Sequence, residues 1–122
     1  TCWIRYVNGY AYTTNNEPPR PSISIFSVDN QGRLELEQSV AADIAQGIDR
    51  PIDFGVTDDG AYLYALSTGS ILEDGAGRPQ ISVFKNNGAS LDLIEIMDQG
   101  LPLSTTTPNF SETQGVFGLA IL

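Results

Sequence analysis

Residues 10–28, YAYTTNNEPPRPSISIFSV, and residues 62–84, YLYALSTGSILEDGAGRPQISVF, are two versions of one hairpin. Each joins two short runs of aromatic and β-branched residues across a loop rich in proline, glycine and charge. Such side chains fit a pleated, half-buried surface, and the Pro/Gly clusters interrupt it. The landmarks recur in order: Tyr12 and Tyr64, Phe26 and Phe84, then Leu34 and Leu36 with Leu91 and Leu93, at offsets of 52, 58 and 57 residues. The offsets differ because the intervening loops differ in length.

Working outward, each unit divides into four strands. The first reads CWIRYV (2–7), YAYTTN (10–15), SISIFSV (22–28) and LELEQSV (34–40), and the second PIDFGVT (51–57), AYLYALS (61–67), QISVFKN (80–86) and LDLIEIM (91–97). Alternation is plain in SISIFSV, with Ile23, Ile25 and Ser27 on one side and Ser24, Phe26 and Val28 on the other. LELEQSV predicts Leu34 and Leu36 inward and Glu35 and Glu37 in solvent. A strand-only repeat of about 50 to 60 residues is the signature of propeller blades. The expected fold is therefore all-β: two four-stranded antiparallel blades, residues 1–40 and 51–98, and one strand of a further blade, 114–122 (QGVFGLAIL), whose Phe117-Gly118 echoes Phe54-Gly55.

The connections alternate in kind. Asn8-Gly9 and Asp58-Asp59-Gly60 carry tight-turn chemistry, as do DNQGR (29–33) and NNGAS (86–90). Residues 15–22, 41–51, 68–80 and 98–115 are long. In an up-and-down meander alternate connections lie at opposite ends, so all the long loops are expected at one end and all the tight turns at the other. Functional side chains gather on long loops over a rigid scaffold.

Bulk composition narrows the chemistry. The 122 residues suffice for one modest core, and a hydrophobic fraction of 41% with 17% charged residues is that of a folded chain. Net charge is −9, with six basic residues against fifteen acids, so no basic stripe exists to neutralise nucleic acid phosphates or an anionic membrane surface. No segment approaches the roughly 20 apolar residues of a membrane span. There is no histidine, which removes imidazole bases and the commonest zinc sites, and Cys2 is the lone cysteine, which removes an intrachain disulfide. Catalysis would rest on carboxylates, arginines, tyrosines or hydroxyls, with no cofactor and no metal. DNQG (29–32) and EDG (73–75) lack the spaced oxygen ligands of a calcium loop and read as turns.

With these segments in view, the chain resembles the seven-bladed lactonase-like propellers, related to bacterial 6-phosphogluconolactonase and to YVTN-repeat surface proteins. The resemblance lies in CWIRYVNGYAYTTN, SISIFSVDNQGRLEL, PIDFGVTDDGAYLYAL, ISVFKNNGASLDLIE and the closing GLPLS…QGVFGLAIL, and it spans nearly the whole chain. Their order is similar to the C-terminal third of a secreted member. The resemblance implies an extracellular or periplasmic location and, in a complete ring, hydrolysis of a sugar lactone. Against it, residues 70–80 (SILEDGAGRPQ) lengthen a loop where the family often has a short glycine turn.

The loop end supplies the candidate residues. Arg50 and Glu112 each stand just before an inner strand and are the catalytic candidates, a guanidinium for developing negative charge and a carboxylate for activating water. Arg20 and Arg78 are candidates for holding an acidic ligand, among Glu17, Glu73 and Asp74, which equally serve to keep loops solvated. Asn109 lies in the sequon Asn109-Phe110-Ser111, a possible glycosylation acceptor. The repeated aromatics Trp3, Tyr6, Tyr10, Tyr12, Tyr62 and Tyr64 are read as blade packing rather than as a sugar groove. The alternative to an enzyme is a non-catalytic extracellular propeller used for ligand binding or assembly. Two blades and a strand leave apolar faces uncovered, so the chain, which opens without Met and reads as a processed product or a piece of something longer, is expected to be held by the rest of a ring or by copies of itself.

Overall fold

The computed structural model describes residues 3–16, 20–43, 51–67 and 79–98. They form eight strands: β1 (Ile4–Val7), β2 (Tyr10–Asn15), β3 (Ser22–Val28), β4 (Leu34–Asp43), β5 (Pro51–Val56), β6 (Tyr62–Ser67), β7 (Gln80–Asn86) and β8 (Leu91–Met97). The strands build two four-stranded antiparallel sheets, β1-β2-β3-β4 and β5-β6-β7-β8, each with its strands side by side in chain order. Among the described residues there is no helix, and hence none long and apolar enough to cross a membrane.

Every connection between neighbours is thus a hairpin, and the tight turns fall where glycine or asparagine supplies a left-handed backbone. Asn8 has φ 50° and Gly9 φ 85°, the paired positive values that a two-residue hairpin turn demands. Asp29 closes its own turn: its Oδ1 accepts from the amides of Gln31 and Arg33, at 2.8 and 2.9 Å. Those bonds and the Arg33 guanidinium at 2.7 Å occupy the carboxylate and hold its pKa below the ordinary value. Asp59 does the same for the turn after β5, accepting from the Thr57 hydroxyl and the Ala61 amide.

The sheets stack face to face. Arg5, Tyr12, Ile25 and Gln38 stand opposite one another across β1 to β4, and this row looks toward the second sheet. The Tyr12 hydroxyl reaches Asn86 Oδ1 at 2.8 Å and the Gly88 carbonyl at 3.0 Å, and the Gln38 amide donates to the Ala89 carbonyl at 2.7 Å. Between the sheets lie Tyr12, Ile23, Ile25 and Ala42 from one side and Phe54, Leu63, Ala65 and Phe84 from the other, all essentially removed from water. Burying side chains of this size contributes about 1.5–3 kcal/mol each, enough to make the stack the main source of cohesion. The turns of the two sheets meet at one end: Asn8 Nδ2 donates to the Asp59 carbonyl at 3.2 Å, and Asn86 Nδ2 to that of Gly60 at 2.9 Å.

Two expectations need correction. The fourth strand does not stop at residue 40: it runs on to Asp43, because two register shifts, between Phe26 and Ile25 and between Ile25 and Ile23, absorb the misfit, after which Ala42 pairs with Ile23 and Asp43 with Ser22. The unit expected to end at residue 40 therefore extends into what was read as loop. Leu34 and Leu36 do not point inward. They are 58% and 53% exposed, because the register set by the hairpin turn puts them opposite Val28 and Phe26, on the side of the first sheet that faces away from the second. The alternation of β3 is as read, with Ile23 and Ile25 fully buried and Phe26 on the opposite side, half-buried. The strand expected at 114–122 lies outside the described residues.

Candidate functional site

The long connections leave the sheets at the end opposite the turns. There the ladders close on Asn15 opposite Ser22, Ser22 opposite Asp43, and Ser67 opposite both Pro51 and Gln80. The described ends of the loops thus converge on one rim, and that rim is polar. Asn15 Nδ2 donates to Ser22 Oγ at 3.2 Å and to Ser24 Oγ at 2.8 Å, and Ser24 passes the chain on to the Ser39 carbonyl at 2.7 Å. Short hydroxyl and amide side chains suit this position because they satisfy one another inside a sheet too narrow for larger groups.

Two guanidinium–carboxylate pairs frame the rim. Arg20, just before β3, donates from Nε at 3.0 Å and from Nη2 at 2.5 Å to Oδ2 of Asp43, the last residue of β4. Asp43 is largely buried, whereas the Arg20 side chain is 63% exposed. On β5, Asp53 accepts from the Phe54 amide at 2.8 Å and lies 3.8 Å from Arg5 Nη2. The Arg5 guanidinium stands 6.0 Å from the centre of the Phe54 ring, within reach of a cation–π attraction. Arg5 and Asp43 carried no signal in the sequence, and Asp53 entered it only as a partner for Arg50. Asp43 was read as loop, and Arg5 becomes meaningful only once the register sets β1 beside the neighbouring sheet.

Of the sequence candidates, Arg20 is placed on this rim, with its charge shared with Asp43. Arg50, Glu112, Arg78 and Asn109 lie outside the described residues, as do Glu17, Glu73 and Asp74. The hydroxyls of Thr13, Thr14 and Ser67 are buried beside the rim without a hydrogen-bond partner among the described residues. Among the aromatics, Tyr12 is wholly buried in the stack, and burial pushes its phenol pKa up, an effect the Asn86 hydrogen bond opposes and Tyr10 reinforces.

No protein-family model, curated protein or solved structure matches this chain.

Proposed function

We propose that the chain is a two-blade segment of a lactonase-like β-propeller, acting outside the cell or in the periplasm, whose loop end contributes to the site of a complete ring. The observation that carries this reading is the duplication itself: two four-stranded meanders stacked face to face, with their turns at one end and the described ends of their long connections at the other. Propellers are built by such radial repetition, and ligands bind where loops from successive blades meet. At that end Arg20 offers a guanidinium already oriented by Asp43, the kind of group that engages a carboxylate or phosphate. Arg78 is proposed to act beside it.

The reaction proposed for the full ring is hydrolysis of an acidic sugar lactone. Glu112 takes a proton from water as its oxygen attacks the lactone carbonyl, Arg50 stabilises the oxyanion, and the ring C–O bond breaks with the leaving oxygen taking that proton back from Glu112, giving the open hydroxy acid. In a ring containing this segment, Arg50→Ala should lower kcat/KM on acidic lactones by roughly 10- to 150-fold, the loss of about 1.5–3 kcal/mol from a charge-assisted contact. Unchanged kinetics in a folded variant would remove the catalytic role. The second reading, a non-catalytic propeller that binds or assembles, is favoured by one observation: Tyr6, Leu34 and Leu36 are exposed on the side of the first sheet that faces away from the stack.

A further inference from the structure

Two Asn-Gly pairs occur in the sequence, Asn8-Gly9 and Asn87-Gly88, and both sit in tight turns between neighbouring strands, away from the loop rim. Asparagine before glycine is open to self-modification, because the glycine has no side chain to shield its backbone nitrogen from the asparagine carboxamide. The fold treats the two pairs differently. At the second, the Gly88 amide donates to Asn86 Oδ1 at 3.0 Å, and the Asn87 carboxamide donates to Asp92 Oδ2 at 2.8 Å. The Tyr10 ring lies over Gly88, where a side-chain carbon would come within 2.7 Å of it. Attacking nitrogen, carboxamide and backbone are all held.

At the first pair the hold is slighter. The Gly9 amide donates to no group among the described residues, and a side-chain carbon at Gly9 would meet no atom within 4 Å. Asn8 is exposed, and its carboxamide is tied by the 3.2 Å bond from Nδ2 to the Asp59 carbonyl. That bond joins the two sheets. A side chain at Gly60 would run into Asn8 and Val7, so Asn8 sits directly on the turn between β5 and β6.

We propose that Asn8 is a site of spontaneous deamidation, and that its conversion releases the β1–β2 turn from the β5–β6 turn. The Gly9 nitrogen gives up its proton to solvent and attacks Cγ of Asn8. The Cγ–Nδ2 bond breaks, Nδ2 takes a proton and leaves as ammonia, and a cyclic succinimide remains. Water opens either succinimide carbonyl, giving aspartate or isoaspartate. Neither product keeps the Nδ2 donor for the Asp59 carbonyl, and both add a negative charge beside the acidic Asp58-Asp59 turn. Isoaspartate also inserts a methylene into the backbone, which spoils the paired positive φ angles of the two-residue turn.

The test is a timed incubation of the whole chain in warm, mildly alkaline buffer, with its digested peptides weighed for the exchange of NH2 for OH. Each pair is compared with a short unstructured peptide of its own sequence, which cancels local chemistry. Relative to its peptide, Asn8 should convert about ten- to hundredfold faster than Asn87, where two hydrogen bonds must first be freed. Conversion at Asn87 that matches or exceeds that at Asn8 would overturn the assignment, and so would an Asn8 that stays intact while its peptide converts. Asn8→Asp supplies one product directly, and because aspartate before glycine also suits the hairpin turn, it isolates the lost donor and the added charge. Its urea midpoint should fall below that of the unaltered chain at equal m, and the midpoint of aged protein should fall with the fraction converted. An unchanged midpoint in either sample would overturn the release of the turns.

Discussion

Phe26 and Phe84 occupy the same place in two sheets of the same design, yet Phe84 is sealed from water and Phe26 is half-exposed. Leu34 and Leu91 differ in the same way, the first standing in solvent and the second buried. Strand, register and side chain are matched in each pair. The difference is the neighbour: the first sheet lies over Phe84 and Leu91, and no described element lies over Phe26 and Leu34. In this molecule burial belongs to the stack and not to the strand.

Replacing the paired aromatics should break the equivalence most widely. Phe84→Ala is expected to lower stability by about 3–5 kcal/mol, the range for emptying a closed core site, while Phe26→Ala should lower it by about 1 kcal/mol. Urea midpoints at unchanged m, taken at concentrations where the mass is that of one chain, provide the measurement. Equal losses would mean that the two faces are equally covered.

The turn glycines give a smaller contrast. Gly32 and Gly88 have nearly the same backbone, φ 77° and 78°, so alanine at either incurs the left-handed penalty of about 1–2 kcal/mol. At Gly88 the added carbon must also displace the Tyr10 ring, a further overpacking cost of about 1–3 kcal/mol. Thermal unfolding of the two variants should therefore separate them, with Gly88→Ala the less stable. Coincident midpoints would show that the ring yields without cost.

The smallest effect concerns one oxygen. Tyr12→Phe removes the hydroxyl that joins the sheets through Asn86 and Gly88, but Asn86 Oδ1 keeps the Gly88 amide at 3.0 Å, so the loss should be about 0.5–1.5 kcal/mol. Tyr64→Phe should leave stability within error. The pH dependence sharpens the distinction. The folded-state pKa of Tyr12 is raised above that of an ordinary phenol, so the folded state holds that proton more tightly than the unfolded chain does. The stability this provides is complete below about pH 10 and is lost as pH rises through the folded-state pKa. Tyr12→Phe should flatten that alkaline decline.

The eight strands were legible in the sequence because aromatic and β-branched runs alternate with turn residues of unmistakable chemistry, and β3, β7 and β8 fall on the segments expected. Direction was harder to read. Leu34 and Leu36 look like core residues in a list of amino acids, and only their pairing with Val28 and Phe26, on the side away from the neighbouring sheet, puts them outward. The polar rim was legible only in Arg20. Its partner Asp43 sits in Ala-Ala-Asp, a run with no strand-like alternation, and is carried into the sheet by pairing with β3. Arg5 was invisible for a related reason: its importance depends on contacts with Asp53 and Phe54, some fifty residues away, which only the stack brings near.

The chain-order sheets also shape how the molecule folds. Every ladder joins consecutive strands, so each meander can form hairpin by hairpin without closing a distant loop. The long reach is kept for the stack, as in the contact between Tyr12 and Asn86, 74 residues apart. Loop-closure entropy is thereby concentrated in a single docking event between two locally assembled halves, and contact order rises only there.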